Sequence, residues 1–512
     1  MRVTNRMMNN NSLTNINRNK EYLDKLNNQL ASEKKITRPS DDPVVAIRAL
    51  KLRGNVTELT QYYDKNTKDA EAWLTATQDA VESTKGILIS MKAQLTTGAT
   101  GTNTVESRNA ILSELKALKD QIYDDGNADY AGRQLFTGYR TSTKLTLEEE
   151  DVPTIYEGIT ETFSRADADK ITLINGKLAA NTDIVDAPAT PVKEQVVTSS
   201  EFTRIRLAYN NVDPGSANAI NLTDKDGNAL SPSSISLSTL NKDSYATYDE
   251  YIDAITATLK GGKSVLIPET GEVLLDSDSA ATVMALKDSD VMTVIYDKSN
   301  WEEGDIRPEH YFDCEQKILD DDGNIIDQIT YDTHDQAINY DVSSNQQLKI
   351  NTNASEVFVH GIGRDIEGII SAIEDSNIAE SNVKKLESMM EEYEEGSAEY
   401  ENIRLTLDAA NKQKALVDDR LQKLFEHGLT TFSGYIDKAT LAGTAIGSTI
   451  ERLDLVRNRL MDLKTTAREL ADDNENVDII DITIDVKEAE MTYNAALMAT
   501  GQISQQSLLN YI

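Results

Sequence analysis

Residues 43–95 read PVVAIRALKLRGNVTELTQYYDKNTKDAEAWLTATQDAVESTKGILISMKAQL, and their periodicity decides the fold. Val45, Leu52, Leu59, Asn66, Trp73, Ala80 and Ile87 recur at every seventh position. Ala49, Val56, Tyr63, Ala70, Thr77, Thr84 and Met91 form a second row between them. Rows three and four residues apart share one face of an α-helix, so the stretch predicts a single helix in one register. Such a helix is too long to stand alone and needs a coiled-coil or bundle partner. Gly54 and Gly86 each weaken it by roughly 1 kcal/mol relative to Ala, which packing over many turns absorbs. Trp73 lies on the row and is expected in the core.

Working outward, Pro39 disfavours helix at Arg38, Asp41 or Asp42 can cap the next helix, and Pro43 is tolerated in its first turn. The segment Arg38-Pro39-Ser40-Asp41-Asp42-Pro43 therefore reads as a short, stiff hinge. Before it, Ile16, Leu23, Leu26 and Leu30 predict a helix over 12–32. Near the other end, Ile446, Thr449, Leu453, Val456, Leu460, Leu463, Ala467 and Leu470 predict a long helix over 436–472. A polar hinge at 472–476 leads to a last helix over 478–510. That helix offers Val486, Ala489, Tyr493, Ala496, Thr500 and Ile503 on its seam. Met491, Leu497, Met498, Leu508 and Leu509 lie beside it, a surface wider than one partner helix covers. The first 38 residues hold eight Lys or Arg against three acids, +5, whereas the last 33 hold four acids against Lys487, −3. Opposite charge and hinges at matching depth predict that the two ends pair.

Between these ends lie a helix over 105–123, a strand or hairpin arm at Leu135–Tyr139, and short β runs punctuated by turn residues such as Asn175-Gly176, Asp226-Gly227 and Thr270-Gly271. One helix is expected inside this region, near Tyr248–Leu259. Helical patterning returns over 365–395 and 398–425, with a break expected at His427-Gly428. The expected fold is α+β: long N- and C-terminal helices paired in an elongated coiled-coil bundle, with a β-rich central insertion. Its parts are 1–38 with 477–512 as a terminal assembly unit, 39–144 with 357–476 as a helical rod carrying a short β-hairpin, and 145–356 as a β-rich outer insertion of one or two lobes.

Composition narrows the function. At 512 residues the chain exceeds one core, and its net charge of −35 opposes binding to nucleic acid or anionic membrane. No apolar run is long enough to span a bilayer, and the N-terminus lacks the apolar core and cleavage site of a secretory signal. Cys314 reads as a small strand residue. His310, His334, His360 and His427 are scattered and read as solvated surface groups, without metal-ligand spacing. The Asp224–Gly227 and Asp320–Gly323 stretches lack a full calcium-loop ligand set and read as hairpin turns. Gly361-Ile362-Gly363-Arg364 reads as a helix start, and Glu391–Glu395 as a solvated helix end. Trp301, in the insertion, is a candidate surface binder. No catalytic, cofactor or metal residue is assigned.

Two terminal helices with surplus apolar surface cannot make a stable globule alone, so the terminal unit is expected to order when copies stack. Lys35-Ile36-Thr37-Arg38-Pro39-Ser40-Asp41-Asp42-Pro43 resembles the signature of the flagellin superfamily between its terminal and first rod-like domains. The opening Met1–Met8, the segment Gly132–Gly138 and the closing Ser504–Ile512 are more similar to the superfamily's hook-filament junction members than to filament flagellins. The resemblance implies a structural adaptor, exported unfolded through the flagellar type III channel and guarded by a cytoplasmic chaperone. Its implied partners are the first hook-associated protein, flagellin and copies of itself, and its implied place is extracellular, at the junction. Alternatives are a filament-forming flagellin, or a flagellar adhesin acting through the insertion. The expected assembly residues are Val3, Met7, Met8, Leu13, Ile16, Leu23, Leu26, Leu30, Val486, Tyr493, Leu497, Ile503, Leu508, Leu509 and Ile512. Tyr493, Leu497, Ile503 and Leu508 are the expected chaperone contacts.

Overall fold

The computed structural model describes residues 5–101, 103–151, 153–175, 197–320, 324–333 and 336–509. The chain divides into two compact units: residues 1–72, 340–348 and 450–512 form one, and residues 73–339 and 349–449 the other. The α+β expectation holds, with long helices at both ends and a β-rich middle.

The first helix, α1, spans Asn5–Ser32. The quoted stretch becomes α2 (Pro43–Gln61), a π-helical turn at Tyr62–Asn66, and α3 (Thr67–Gly98). The single expected register is therefore interrupted. The burial pattern steps from Leu59 to Tyr63 to Thr67, four residues twice, before the three-four rhythm resumes at Ala70. A π turn accommodates one extra residue, so the row beginning at Val45 slips onto Thr67, Leu74, Val81, Leu88 and Leu95. Those last four leucine and valine side chains are essentially sealed, while Ala80 on the expected row is half-buried. Trp73 is core, as expected, with the Arg133 guanidinium 4.9 Å from its ring.

After α4 (Val105–Gly126), the hairpin is β1 (Asp129–Tyr130) with β2 (Arg133–Gln134). Leu135–Tyr139, expected as a strand or hairpin arm, instead turns, burying Leu135 and Phe136. The insertion then builds one ten-stranded sheet from β3 (Thr154–Phe163), β4 (Asp169–Asn175), β5 (Thr198–Arg206), β6 (Ala219–Thr223), β7 (Ala229–Thr239), β8 (Ser264–Ile267), β9 (Glu272–Leu275), β10 (Val291–Lys298), β11 (Asp313–Leu319) and β12 (Ile325–Tyr331). The strand order is β12-β11-β3-β10-β6-β7-β8-β9-β5-β4. Its neighbours are antiparallel except β7 and β8, joined through α5 (Tyr248–Lys260) as a crossover unit. Tyr251, Ile252, Ile255 and Leu259 of α5 bury against Val265, Ile267 and Leu274, which explains why a helical period survives within a β region. The Asp224 turn is a hairpin connection: its carboxylate accepts the Asp226 and Asn228 amides at 2.9 Å each. In the Asp320 turn, 321–323 lie outside the described residues.

The larger core of the sheet is aromatic. Trp301, expected as a possible surface binder, is 3% exposed. Its indole donates to the Lys298 carbonyl at 3.0 Å, and its ring meets Tyr156 and Tyr209 edge-on at 5.1 Å. Cys314 is buried on β11, as read, and burial pushes its thiol pKa up. His310 is buried and His360 half-buried against Tyr311 and Phe312, contrary to the solvated reading. Desolvation holds both imidazoles down at about 4 and neutral near pH 7. His427 is exposed, and His334 lies outside the described residues.

Of the later helices, α6 (Ser277–Met284) lies beside the sheet, α7 spans Gly361–Met390, and α8 runs from Ala398 to Glu475 without interruption. The break expected at His427-Gly428 does not occur. A Cβ at Gly428 would sit 3.1 Å from Leu95 and 3.3 Å from Ile369, so this glycine admits neighbouring helices rather than ending its own. Gly361-Ile362-Gly363-Arg364 does start a helix, and Glu391–Glu395 follows a helix end. The last helix, α9, spans Ile479–Leu509.

Candidate assembly interface

The terminal unit is built around the hinge. Of the two candidate caps, Asp42 takes the role, accepting the Val44 and Val45 amides at 2.9 and 3.2 Å. Asp41 folds back to accept the Thr37 and Arg38 amides at 3.1 and 2.9 Å. These bonds to the charged form, the Arg38 amide foremost, lower its carboxyl pKa. Glu33 stops α1 in the left-handed region (φ 58°), a conformation that costs a non-glycine residue roughly 1 kcal/mol. This turn lets Lys34 pair with Asn476 as a single antiparallel bridge: the Lys35 amide donates to the Glu475 carbonyl at 2.7 Å, and the Val477 amide to the Glu33 carbonyl at 3.1 Å. The two ends of the chain are thus spliced by backbone hydrogen bonds at their hinges.

On the near side of the splice, α2 and the head of α3 run antiparallel to the end of α8, marked by three ion pairs. Glu71 meets Arg457 at 2.6 Å, Asp64 meets Lys464, and Arg53 grips both oxygens of Glu475. Seven residues separate the first two pairs and eleven the next two on both helices, so the pairs share one register. Lys464 is the inward residue where Leu463 was expected; Leu463 and Leu470 are 48% and 52% exposed. The burial pattern of α8 passes from Val456 to Leu460 to Lys464 in steps of four, opposite the π turn that carries Asp64 and Tyr63. The Lys464 ammonium lies 4.8 Å from the Tyr63 ring centroid. The hydrogen bond from Lys464 lowers the Asp64 pKa, and that from Arg53 lowers the Glu475 pKa.

Beyond the splice, α1 packs on α9. Asp478 caps α9 through the Ile480 and Asp481 amides at 2.8 and 3.3 Å. Leu26, Ile482, Val486 and Ala489 form a buried cluster, with Leu23, Leu30 and Val477 packed against it. Ile16 is also buried, and Tyr493 half-buried. Met7, Met8, Leu13 and Leu497 are exposed by 54, 40, 54 and 42%. Ile503, Leu508 and Leu509 continue α9, whereas Val3 and Ile512 lie outside the described residues. Sequence reasoning missed Ile480 and Ile484, which with Met491 and Met498 are at least half exposed. They recur at helical spacing on the side of α9 away from α1; steps of four and seven were the available signal. The opposite charges of the two ends do not meet as expected. Among the described residues no ion pair joins α1 to α9, and the seam is apolar.

The model of the bacterial flagellin N-terminal helical region matches residues 3–141, which hold α1, α2, α3 and α4. More particularly, the chain is 25% identical over 142 residues to flagellar hook-associated protein 3 of Salmonella typhimurium, covering 28% of this chain and 44% of that one. It is 30% identical over 122 residues to a flagellin of Clostridium tyrobutyricum, covering 24% and 32%. The chain spans less than half the length of each of these relatives. A solved flagellar hook-associated protein of Vibrio parahaemolyticus aligns over 85% of this chain and 100% of its own, at 13% identity and a TM-score of 0.34. The sequence matches bear out the resemblance to the flagellin superfamily and support its hook-associated branch.

Proposed function

We propose that the chain is a structural adaptor of the bacterial flagellum, joining the hook, through the first hook-associated protein, to the flagellin filament. The observation that carries this reading is the apolar surface left over in the terminal unit. After α1 and α9 bury their seam, Met7, Leu13, Ile480, Ile484, Met491 and Met498 remain at least half exposed. Surface of this kind in regular rows fits an element completed by neighbouring subunits. The relatives named hook-associated protein 3 support the junction over the filament.

In this reading 1–38 with 477–512 is the assembly part, 39–144 with 357–476 the rod, and 145–356 the outer insertion. Copies form a ring or helical layer, the functional residues are interface residues, and the chain performs no catalysis. It travels unfolded through the type III channel, with a cytoplasmic chaperone covering Tyr493, Leu497, Ile503 and Leu508. Deleting the last 15 or so residues tests the proposal. Filament attachment should be lost while the sheet keeps its cooperative unfolding; normal filaments on such cells would refute it. The relatedness to a flagellin supports one second reading, a filament subunit, which would make purified chain polymerise alone into long tubes.

A further inference from the structure

The charges that the α1–α9 seam leaves unpaired have a regular arrangement. Beside the seam, near the hinge, lies a groove of about 770 Å³ whose floor includes Leu26 and Ile482. Asp472, Asp473, Asp478, Asp481 and Asp485 line it, against only Lys25 and Lys35. The hinge splice uses the Lys35 ammonium on the Asp473 carbonyl, and Asp478 caps α9; no ion pair reaches Asp481 or Asp485 among the described residues. The first half of α1 carries the complementary pattern. Arg6, Asn10, Leu13, Asn17 and Lys20 follow one another in steps of four and three, so they form one stripe, and all five are exposed. The first 20 residues hold four basic and no acidic side chains. Arg6 and Lys20 have no ion-pair partner among the described residues.

Two cations and two amides around a leucine match an acidic groove with an apolar floor. A second α9 would bring acids to acids, and so would the hinge end of α8. We propose that the groove between α1 and α9 seats the Arg6–Lys20 stripe of a second copy of this chain. The inference rests on the adaptor reading and gives its copy-to-copy contact a direction. Stripe and groove are different surfaces, so the contact is heterologous and propagates from copy to copy. The stripe centres on Leu13 and the groove lies level with 22–29, so neighbours are offset along the helix axis by about 20 Å.

Cysteine cross-linking on assembled flagella tests this. In a Cys314→Ser background, Leu13→Cys and Asp481→Cys are combined in the full chain. Within one copy Asp481 lies level with about Gln29, roughly 24 Å along the axis from Leu13, far beyond disulfide reach. Mild oxidation should give a ladder of multimers from the double variant and none from either single variant. Arg6→Glu with Lys20→Glu, or Asp481→Lys with Asp485→Lys, tested with cysteines at Leu13 and Asp478, should each cut the ladder at least tenfold; both reversals together should restore it. An attached, cross-link-free double variant, a dimer from a single-cysteine variant, or indifference to the reversals would overturn the inference and leave the adaptor standing. Absence of the chain from the junction would remove both.

Discussion

The terminal helices and the ten-stranded sheet solve the same problem in opposite ways. The sheet closes its apolar surface on itself: Tyr156, Tyr296, Trp301 and Phe312 are each no more than 8% exposed. The terminal unit keeps an apolar seam but presents a second apolar row outward from α9. The sheet behaves as a finished core, whose stability belongs to one chain. In the proposed adaptor the helical ends are finished by neighbours, which makes their burial depend on concentration and assembly.

Substitutions should separate the two regimes. The largest effect is expected at Trp301→Ala, which removes the centre of the aromatic cluster and should lower the sheet's stability by about 3–5 kcal/mol in urea unfolding. Filament attachment would fall only through loss of folded chain. Leu26→Ala with Val486→Ala should do the reverse. These changes open the α1–α9 seam by about 2–3 kcal/mol, seen as faster amide exchange there, and leave the sheet's urea midpoint unmoved. A coupled shift of both would erase the distinction between the regions.

A pH prediction isolates the sheet. The Glu161 carboxyl is buried, accepts the Ala208 amide at 2.9 and 3.1 Å and the Tyr296 hydroxyl, and is pushed up by desolvation from 4.5 to about 7. A raised acid pKa means the folded state holds a proton that the unfolded state has lost. This contribution is therefore fully present below pH 4.5 and is lost as pH rises through about 7. Its size is about 3 kcal/mol. His310 runs the other way: its contribution is present above 6.5 and lost as pH falls toward about 4. The stability difference between wild type and Glu161→Gln, followed from pH 4 to 8, separates the two and should be steepest between 4.5 and 7.

The smallest expected effects have opposite signs on one helix. At Gly447 a Cβ meets nothing within 4 Å, so Gly447→Ala should gain about 1 kcal/mol from helix propensity. At Gly428 the same gain is set against crowding of Leu95 and Ile369, so the alanine should be neutral or cost about 1 kcal/mol. Thermal melts of the two variants would decide whether α8 tolerates side chains evenly along its length.

The long helices were legible because a heptad row is a local, repeated signal. The helix Tyr248–Lys260 was legible for the same reason. The register slip at Tyr62–Asn66 was not, because Asn66 and Thr67 are equally plausible on the row until Lys464 and Asp64 are seen to meet. Gly428 misled because one glycine signals either a helix end or a close approach, and only Leu95 and Ile369 distinguish them. Nothing in the sequence marks Trp301 and His310 as buried, since isolated side chains between short strands carry no period. Of the assembly residues, Leu26 and Val486 announced the seam by spacing, whereas Ile480 and Ile484 needed the direction of α1 to reveal them as outward.

The sequence by itself determined the α+β plan, the hinge at Arg38–Pro43 and the charge imbalance of the two ends, because each is written in near neighbours along the chain. Only the tertiary structure decided that the ends are spliced at Lys34 and Asn476, that the sheet is one surface from β12 to β4, and that, among the described residues, the opposite terminal charges form no ion pair across the α1–α9 seam. Those depend on residues hundreds of positions apart, whose meeting is set by packing and backbone hydrogen bonding rather than by any local pattern.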